Sequence, residues 1–139
     1  TKMSKTGGET NAIFLNEEPE SIRKKIMRAK SDGGPTTMNQ EKPQEIINLF
    51  ELMKIVSTPD TLAFFDNAYN NCVIRYGDMK KQLAEDMVNY LTPIRTRINE
   101  LINNEAYLQR VVSRGAEEAR ESAAKTISEV RKIMGISYF

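Results

Sequence analysis

Gly77-Asp78-Met79-Lys80-Lys81-Gln82-Leu83-Ala84-Glu85-Asp86-Met87-Val88-Asn89-Tyr90-Leu91-Thr92-Pro93-Ile94-Arg95-Thr96-Arg97-Ile98-Asn99-Glu100-Leu101-Ile102 is the longest periodic stretch of the chain. Leu83, Met87, Tyr90, Leu91, Ile94, Ile98, Leu101 and Ile102 recur at three- and four-residue intervals, the spacing that keeps side chains on one face of an α-helix. Pro93 removes one backbone hydrogen bond and crowds the carbonyl of Asn89, which predicts a kink rather than a stop. Downstream, Asn103-Asn104 is placed to cap a short helix carrying Leu108, Val111 and Val112. A last helix then carries Ala116, Ala119, Ala123, Ile127, Val130 and Met134, with Gly135 as its C-terminal cap. The small residues early in that stripe would let another helix pack close.

Upstream the pattern is the same over shorter runs. Pro19 suits the first turn of a helix whose positive end is complemented by Glu17, Glu18 and Glu20. Ile22, Ile26 and Ala29 share a face, and Asp32-Gly33-Gly34-Pro35 ends the run. Residues 36–42 are a polar connection. Pro43 opens a second helix with Ile46, Leu49, Phe50, Met53 and Val56 inward. Thr58 can cap a third, with Pro59 in its first turn and Leu62, Phe65 and Tyr69 as its stripe, broken at Asn70-Asn71. Strand signals are confined to Ala12-Ile13-Phe14-Leu15, which could lie extended against a core. The fold class is all-α, a bundle of five or six helices preceded by a loop.

The chain has 139 residues, enough for one domain with a core. Twenty Lys and Arg oppose nineteen Asp and Glu, so bulk charge points to no class of partner. There is no histidine. That excludes Ser-His-Asp and Cys-His nucleophile pairs, imidazole metal ligands and imidazole acid–base groups. The single cysteine, Cys72, permits no intrachain disulfide and fits a reducing compartment. Beside Val73 and Ile74 it reads as a small buried hydrophobe. No run approaches the roughly 20 apolar residues of a membrane helix.

Chemistry is concentrated in Lys2-Met3-Ser4-Lys5-Thr6, with Gly7-Gly8 next in the chain. Two lysines three apart on a glycine-flanked loop can place two ammonium groups on polyphosphate oxygens, with the Ser4 and Thr6 hydroxyls adding donors. Taken alone, five residues are weak evidence, and charged residues on a terminus are the simpler reading. Thr1 to Asn11 contains almost no apolar side chain, so it is expected to be mobile. The basic run Arg23, Lys24, Lys25, Arg28 and Lys30 could face phosphates. It reads more simply as the solvated face of an amphipathic helix, with Glu20 and Lys24 four apart. The seven methionines and five phenylalanines fall on helical stripes and read as core. Asp78, Glu85 and Asp86 lie among lysines on a helix surface and suggest no metal site.

Lys2-Met3-Ser4-Lys5-Thr6 resembles the KMSKS signature of class I aminoacyl-tRNA synthetases, with threonine for the last serine. The rest of the chain is similar to bacterial tryptophanyl-tRNA synthetases in particular. The matching segments are Asn11 to Leu15, Pro19 to Ile26, Ala29 to Asp32, and Asn48-Leu49 with Pro43 just upstream. They continue through Tyr76 to Lys80, Leu83 to Glu85, Leu91 to Arg95, Gly115 to Arg120 and Val130 to Gly135. The likeness covers essentially the whole chain in order.

The resemblance implies an enzyme that activates tryptophan with ATP, with Mg2+ expected alongside, and charges tRNA(Trp). It makes Lys5 and Lys2 the phosphate-contacting catalytic cations, within an ATP-binding string Lys2, Met3, Ser4, Lys5 and Thr6. The family's nucleotide-binding fold and amino-acid pocket precede that string. This chain is therefore expected to be the C-terminal portion of a larger protein: 1–18 a catalytic loop and linker, 19–139 a helical tRNA anticodon-binding region. A cytoplasmic homodimer, away from membranes, is implied. The corresponding part of a tyrosyl-tRNA synthetase is the nearest alternative, and a helical adaptor with a chance motif another. Arg95, Arg97, Arg110 and Arg114 are all plausible phosphate contacts, and none stands out as an anticodon reader.

Overall fold

In the computed structural model, residues 12–136 are described, and they hold five helices. These are α1 (Pro19–Arg28), α2 (Gln44–Val56), α3 (Pro59–Asn70), α4 (Tyr76–Ile102) and α5 (Glu105–Ile133). No strand occurs among the described residues. The chain divides into two compact units between Arg97 and Ile98, within α4.

The first unit owes its core to the stripes read from sequence. Ile22 and Ile26 of α1, Ile46, Leu49, Phe50 and Met53 of α2, and Phe65 and Tyr69 of α3 are buried together. They meet Met79, Leu83, Ala84, Met87, Val88 and Leu91 of α4 in one cluster. Helix starts fall where the chain chemistry puts them. Pro19 and Pro59 occupy first turns. The Thr58 hydroxyl accepts from the Thr61 N–H at 3.2 Å. Pro43 stands one place outside its helix, as the N-cap of α2. Ile13 packs against the core, while Phe14 and Leu15 of the same run are exposed. The run does not continue extended: the Glu17 N–H bonds Phe14 O at 3.0 Å and closes a turn through Leu15 and Asn16.

Among the described residues Lys80 is the one charged residue classed as buried. Its ammonium donates to the carbonyl of Ala29 at 2.6 Å and to the Ser31 hydroxyl at 3.0 Å. Ala29 is the C-cap of α1, so the cation sits where the helix dipole is negative and the last carbonyls need donors. The 36–42 connection is tied to α3 by three links. The Asn39 N–H donates to Asn70 O at 2.9 Å, the Tyr69 hydroxyl donates to Glu41 O at 3.3 Å, and Lys42 pairs with Asp66 at 2.8 Å.

α4 continues through Pro93 without a stop. Tyr90 and Ile102, expected on its inward stripe, are exposed. In the second unit, the short helix and last helix expected after Asn104 are one helix, α5. Between Val112 and Ala116 only Gly115 interrupts, and a mid-helix glycine costs only about 1 kcal/mol against alanine. The Asn104 side chain caps it, accepting from the Tyr107 N–H at 3.1 Å. Gly135, at φ +70°, closes it. The Gly135 N–H reaches Lys132 O at 3.2 Å and the Ile136 N–H reaches Arg131 O at 2.9 Å, the paired bonds of a Schellman end. No residue of α5 is buried, so its Ala116–Met134 stripe is not core.

Candidate functional site

The sequence-derived site residues Lys2, Met3, Ser4, Lys5 and Thr6, and the expected mobility of Thr1 to Asn11, lie outside the described residues. The described part nearest to them in sequence, Ala12 to Glu17, is fastened to α1 through Lys25 and to α4 through Arg95.

Three residues of the basic run, Arg23, Lys25 and Lys30, are ion-paired, while Lys24 and Arg28 are exposed. Arg23 bonds both Glu85 oxygens, at 2.7 and 2.9 Å, and also Glu20 at 2.7 Å. Lys30 reaches Glu45 at 3.3 Å. Glu20 thus meets Arg23, three residues on, in addition to standing four from Lys24. Exposed pairs of this kind contribute roughly 0.2–1 kcal/mol each. On α4, Asp86 accepts from Gln82 at 2.9 Å and Asp78 lies 3.7 Å from Arg75. Among the described residues no group of three His, Cys, Asp or Glu is placed to hold a metal.

A cleft of about 500 Å³ opens where α3 ends and α4 begins. Phe64, Phe65, Asn67, Ala68, Asn71, Val73, Arg75 and Asp78 line it. Its shape follows from how α3 stops. Asn71 caps the helix, the Cys72 N–H bonds Tyr69 O at 3.0 Å and the Val73 N–H bonds Ala68 O at 2.9 Å. Those two bonds require a left-handed residue between cap and exit, and Cys72 supplies it at φ +57°. The turn throws the Cys72 side chain outward. It is exposed, which corrects its reading as a buried hydrophobe. A non-glycine residue costs roughly 1–2 kcal/mol in that region, so cysteine is tolerated there rather than favoured.

The same turn lifts Val73 and Arg75 to the rim. Phe64 is 66% exposed, although the stripe reading of the phenylalanines made them core. Its neighbour Phe65 is buried and meets it edge-on, with centroids 5.1 Å apart at 82°. The pair leaves the Phe64 ring as an aromatic face open to solvent. Adjacent phenylalanines on a helix point about 100° apart, a signal available in the sequence and missed. The polar inventory is mixed. Asn71 spends its amide N–H on Asn67 O at 2.8 Å, which leaves its amide oxygen as an acceptor. Asp78 offers carboxylate oxygens, and Arg75 a guanidinium held only loosely by Asp78. A flat apolar face flanked by donors and acceptors suits a planar, hydrogen-bonding group such as an unstacked base.

The class of protein is set by the family model of the class I tRNA synthetases (W and Y), which matches residues 1–92. The chain belongs to that family. It is 53% identical over 134 residues to the tryptophan–tRNA ligase of Porphyromonas gingivalis, covering 96% of this chain and 40% of that protein. Against the Helicobacter pylori tryptophan–tRNA ligase the identity is 35% over 136 residues, 97% of this chain and 40% of the relative. The mitochondrial tryptophan–tRNA ligase of Saccharomyces cerevisiae is 35% identical over 140 residues, 96% of this chain and 36% of the relative. The matches are to the C-terminal portion of such proteins, and the chain spans about 40% of the length of the bacterial relatives. A helical adaptor with a chance motif is set aside by a family match that begins at residue 1 and ends at Thr92, inside α4.

Proposed function

We propose that this chain is the C-terminal part of an enzyme that activates tryptophan with ATP and transfers it to tRNA(Trp). The observation that carries the reading is identity at the 53% level sustained over 134 residues with a tryptophan–tRNA ligase. In activation, the tryptophan carboxylate attacks the α-phosphorus of ATP and pyrophosphate leaves with the bonding electrons. Lys2 and Lys5 meet the charge that develops on the departing phosphates, Lys5 most strongly, while Ser4 and Thr6 shape the string. Mg2+ accompanies the ATP phosphates and neutralises part of their charge. The amino-acid pocket and the nucleotide-binding fold belong to the remaining length of the enzyme. A cytoplasmic homodimer completes the reading, with residues 1–18 as loop and linker.

Residues 19–139 serve tRNA, and the Phe64 cleft is fitted to an unpaired anticodon base. Phe64 provides the stacking face, Asp78 and Asn71 the acceptors, and Arg75 the cation. Base–aromatic stacking contributes roughly 1–3 kcal/mol per base. In the full-length enzyme, Phe64→Ala is therefore expected to raise the KM for tRNA(Trp) on the order of tenfold or more. Tryptophan-dependent pyrophosphate exchange, which needs no tRNA, is expected to stay unchanged. An unaltered KM for tRNA would remove the cleft from recognition.

A further inference from the structure

Arg75 and Asp78 face the Phe64 cleft as a pair, and a pair carries more chemistry than one cation and one acceptor. They stand three residues apart where α4 begins, and the Asp78 N–H bonds the Arg75 carbonyl at 3.0 Å. The backbone at this corner is thus fixed, while the side chains are not spent on each other. The Arg75 Nε lies 3.7 Å from Asp78 Oδ2, beyond hydrogen-bond range. Both side chains are open to solvent, at 85% and 56% exposure. A loose, exposed pair of this kind contributes little to the fold.

A carboxylate beside a guanidinium presents an acceptor followed by two parallel donors, the Nε–H and an Nη–H of the fork. The Watson–Crick edge of cytosine is the complement of that order: its N4 amino group donates, and N3 and O2 accept. Uracil sets its O4 against the carboxylate and its N3–H against the guanidinium, so both contacts turn repulsive. Guanine, with O6 and N1–H, fails in the same way. Adenine offers the first two partners and lacks the third. At about 500 Å³ the cleft admits a purine as readily as a pyrimidine, so the choice falls to the edge and not to size. A polar site rejects the wrong edge steeply, because its own groups are then left unpaired.

We propose that the Phe64 cleft selects cytosine, with Asp78 accepting from the N4 amino group and Arg75 donating to N3 and O2 of a base laid on the Phe64 ring. The proposal rests on the reading of this cleft as the seat of an unpaired anticodon base. The tryptophan codon UGG is complementary to the anticodon CCA, so tRNA(Trp) supplies two cytosines, and one of them is the occupant. Arg75 and Asp78 then determine specificity more than affinity. Stacking on an aromatic ring holds any base, and the pair decides which base is kept.

Charging of unmodified tRNA(Trp) transcripts by the full-length enzyme tests this, with anticodons CCA, UCA and CUA compared. Each kcat/KM is taken relative to CCA for the same protein, so a general loss of activity or stability cancels. With the unaltered enzyme, one of the two uracil transcripts is expected to fall on the order of tenfold or more through this pair. Asp78→Asn, whose amide offers a donor as well as an acceptor, is expected to abolish most of that preference and to leave the other position as it was. Asp78→Glu, which keeps the carboxylate, is expected to retain part of it. Arg75→Met is expected to weaken the same preference, and it stands in if Asp78→Asn folds poorly. Discrimination unchanged in both Asp78→Asn and Arg75→Met, or lost equally at both positions, overturns the cytosine assignment. If Phe64→Ala still raises the KM for tRNA, the cleft keeps its place as a base site. An unaltered KM in Phe64→Ala removes the cleft, and the proposal with it.

Discussion

Replacing Lys5 by alanine in the full-length enzyme is expected to slow tryptophan activation about a hundredfold or more. A charged donor directed at charge that grows as pyrophosphate departs contributes on the order of 2–4 kcal/mol to the transition state. Such a contact is weak in the ground state, so kcat and kcat/KM should fall together while tryptophan binding changes little. Arginine at position 5 should restore only part of the rate, because a planar fork does not reproduce a compact ammonium. The check is steady-state pyrophosphate exchange with tryptophan and ATP varied separately. A fall confined to the KM for tryptophan would take Lys5 out of the phosphate site.

The second large effect belongs to the fold. Tyr69→Ala is expected to destabilise the helical unit by roughly 3–5 kcal/mol, the range for removing a buried aromatic ring. Tyr69 is fully buried, meets Phe50 edge-on with centroids 6.5 Å apart, and lies 4.6 Å below the Lys42 ammonium. Among the described residues its hydroxyl reaches Glu41 O, at 3.3 Å. Tyr69→Phe therefore keeps the ring contacts and should cost about 1 kcal/mol, one hydrogen bond. Urea unfolding of the two variants measures the difference. With total stabilities of about 5–15 kcal/mol, the alanine variant stands near the edge of folding. Similar losses for both would mean that the hydroxyl, not the ring, holds the 36–42 connection to α3.

Local chemistry made much of this legible. Pro19, Thr58 and Pro59 mark helix starts in one dimension, and the Ile22–Ile26 and Ile46–Met53 stripes select the buried faces without knowledge of what covers them. Periodicity failed where the deciding contact lies far along the chain. Lys80 looks like any surface lysine of α4 until its partner, the Ala29 carbonyl 51 residues earlier, is seen. Glu17 looks like a dipole-complementing acid, and its link to Arg95 has no local trace. Cys72 was misjudged because its apolar neighbours suggested burial, whereas the turn required a left-handed residue and glycine, the usual marker, is absent.

The site divided in the same way. The Lys2–Thr6 string is visible only as a short motif, and the role proposed for it rests on likeness along the whole chain rather than on its own chemistry. The Phe64 cleft needed the fold, because it combines one face of α3 with a turn whose geometry no composition rule encodes. α5 shows the converse. Its caps at Asn104 and Gly135 were legible, but a glycine inside a continuous helix and a run of small residues without a buried neighbour were not distinguishable from a break and a packing seam.

The most direct measurement is tryptophan-dependent pyrophosphate exchange by the full-length protein, followed by charging of tRNA(Trp), with tyrosine and tRNA(Tyr) run in parallel. Exchange and charging with tryptophan and its tRNA, and neither with tyrosine, is the expected result. The 139-residue chain alone should give no exchange, because catalysis needs all reactants held in one geometry. Exchange driven by tyrosine, no exchange with either amino acid, or clear tryptophan-dependent exchange by this chain alone would contradict the assignment of these helices and this loop to the C-terminal part of a tryptophan-activating enzyme.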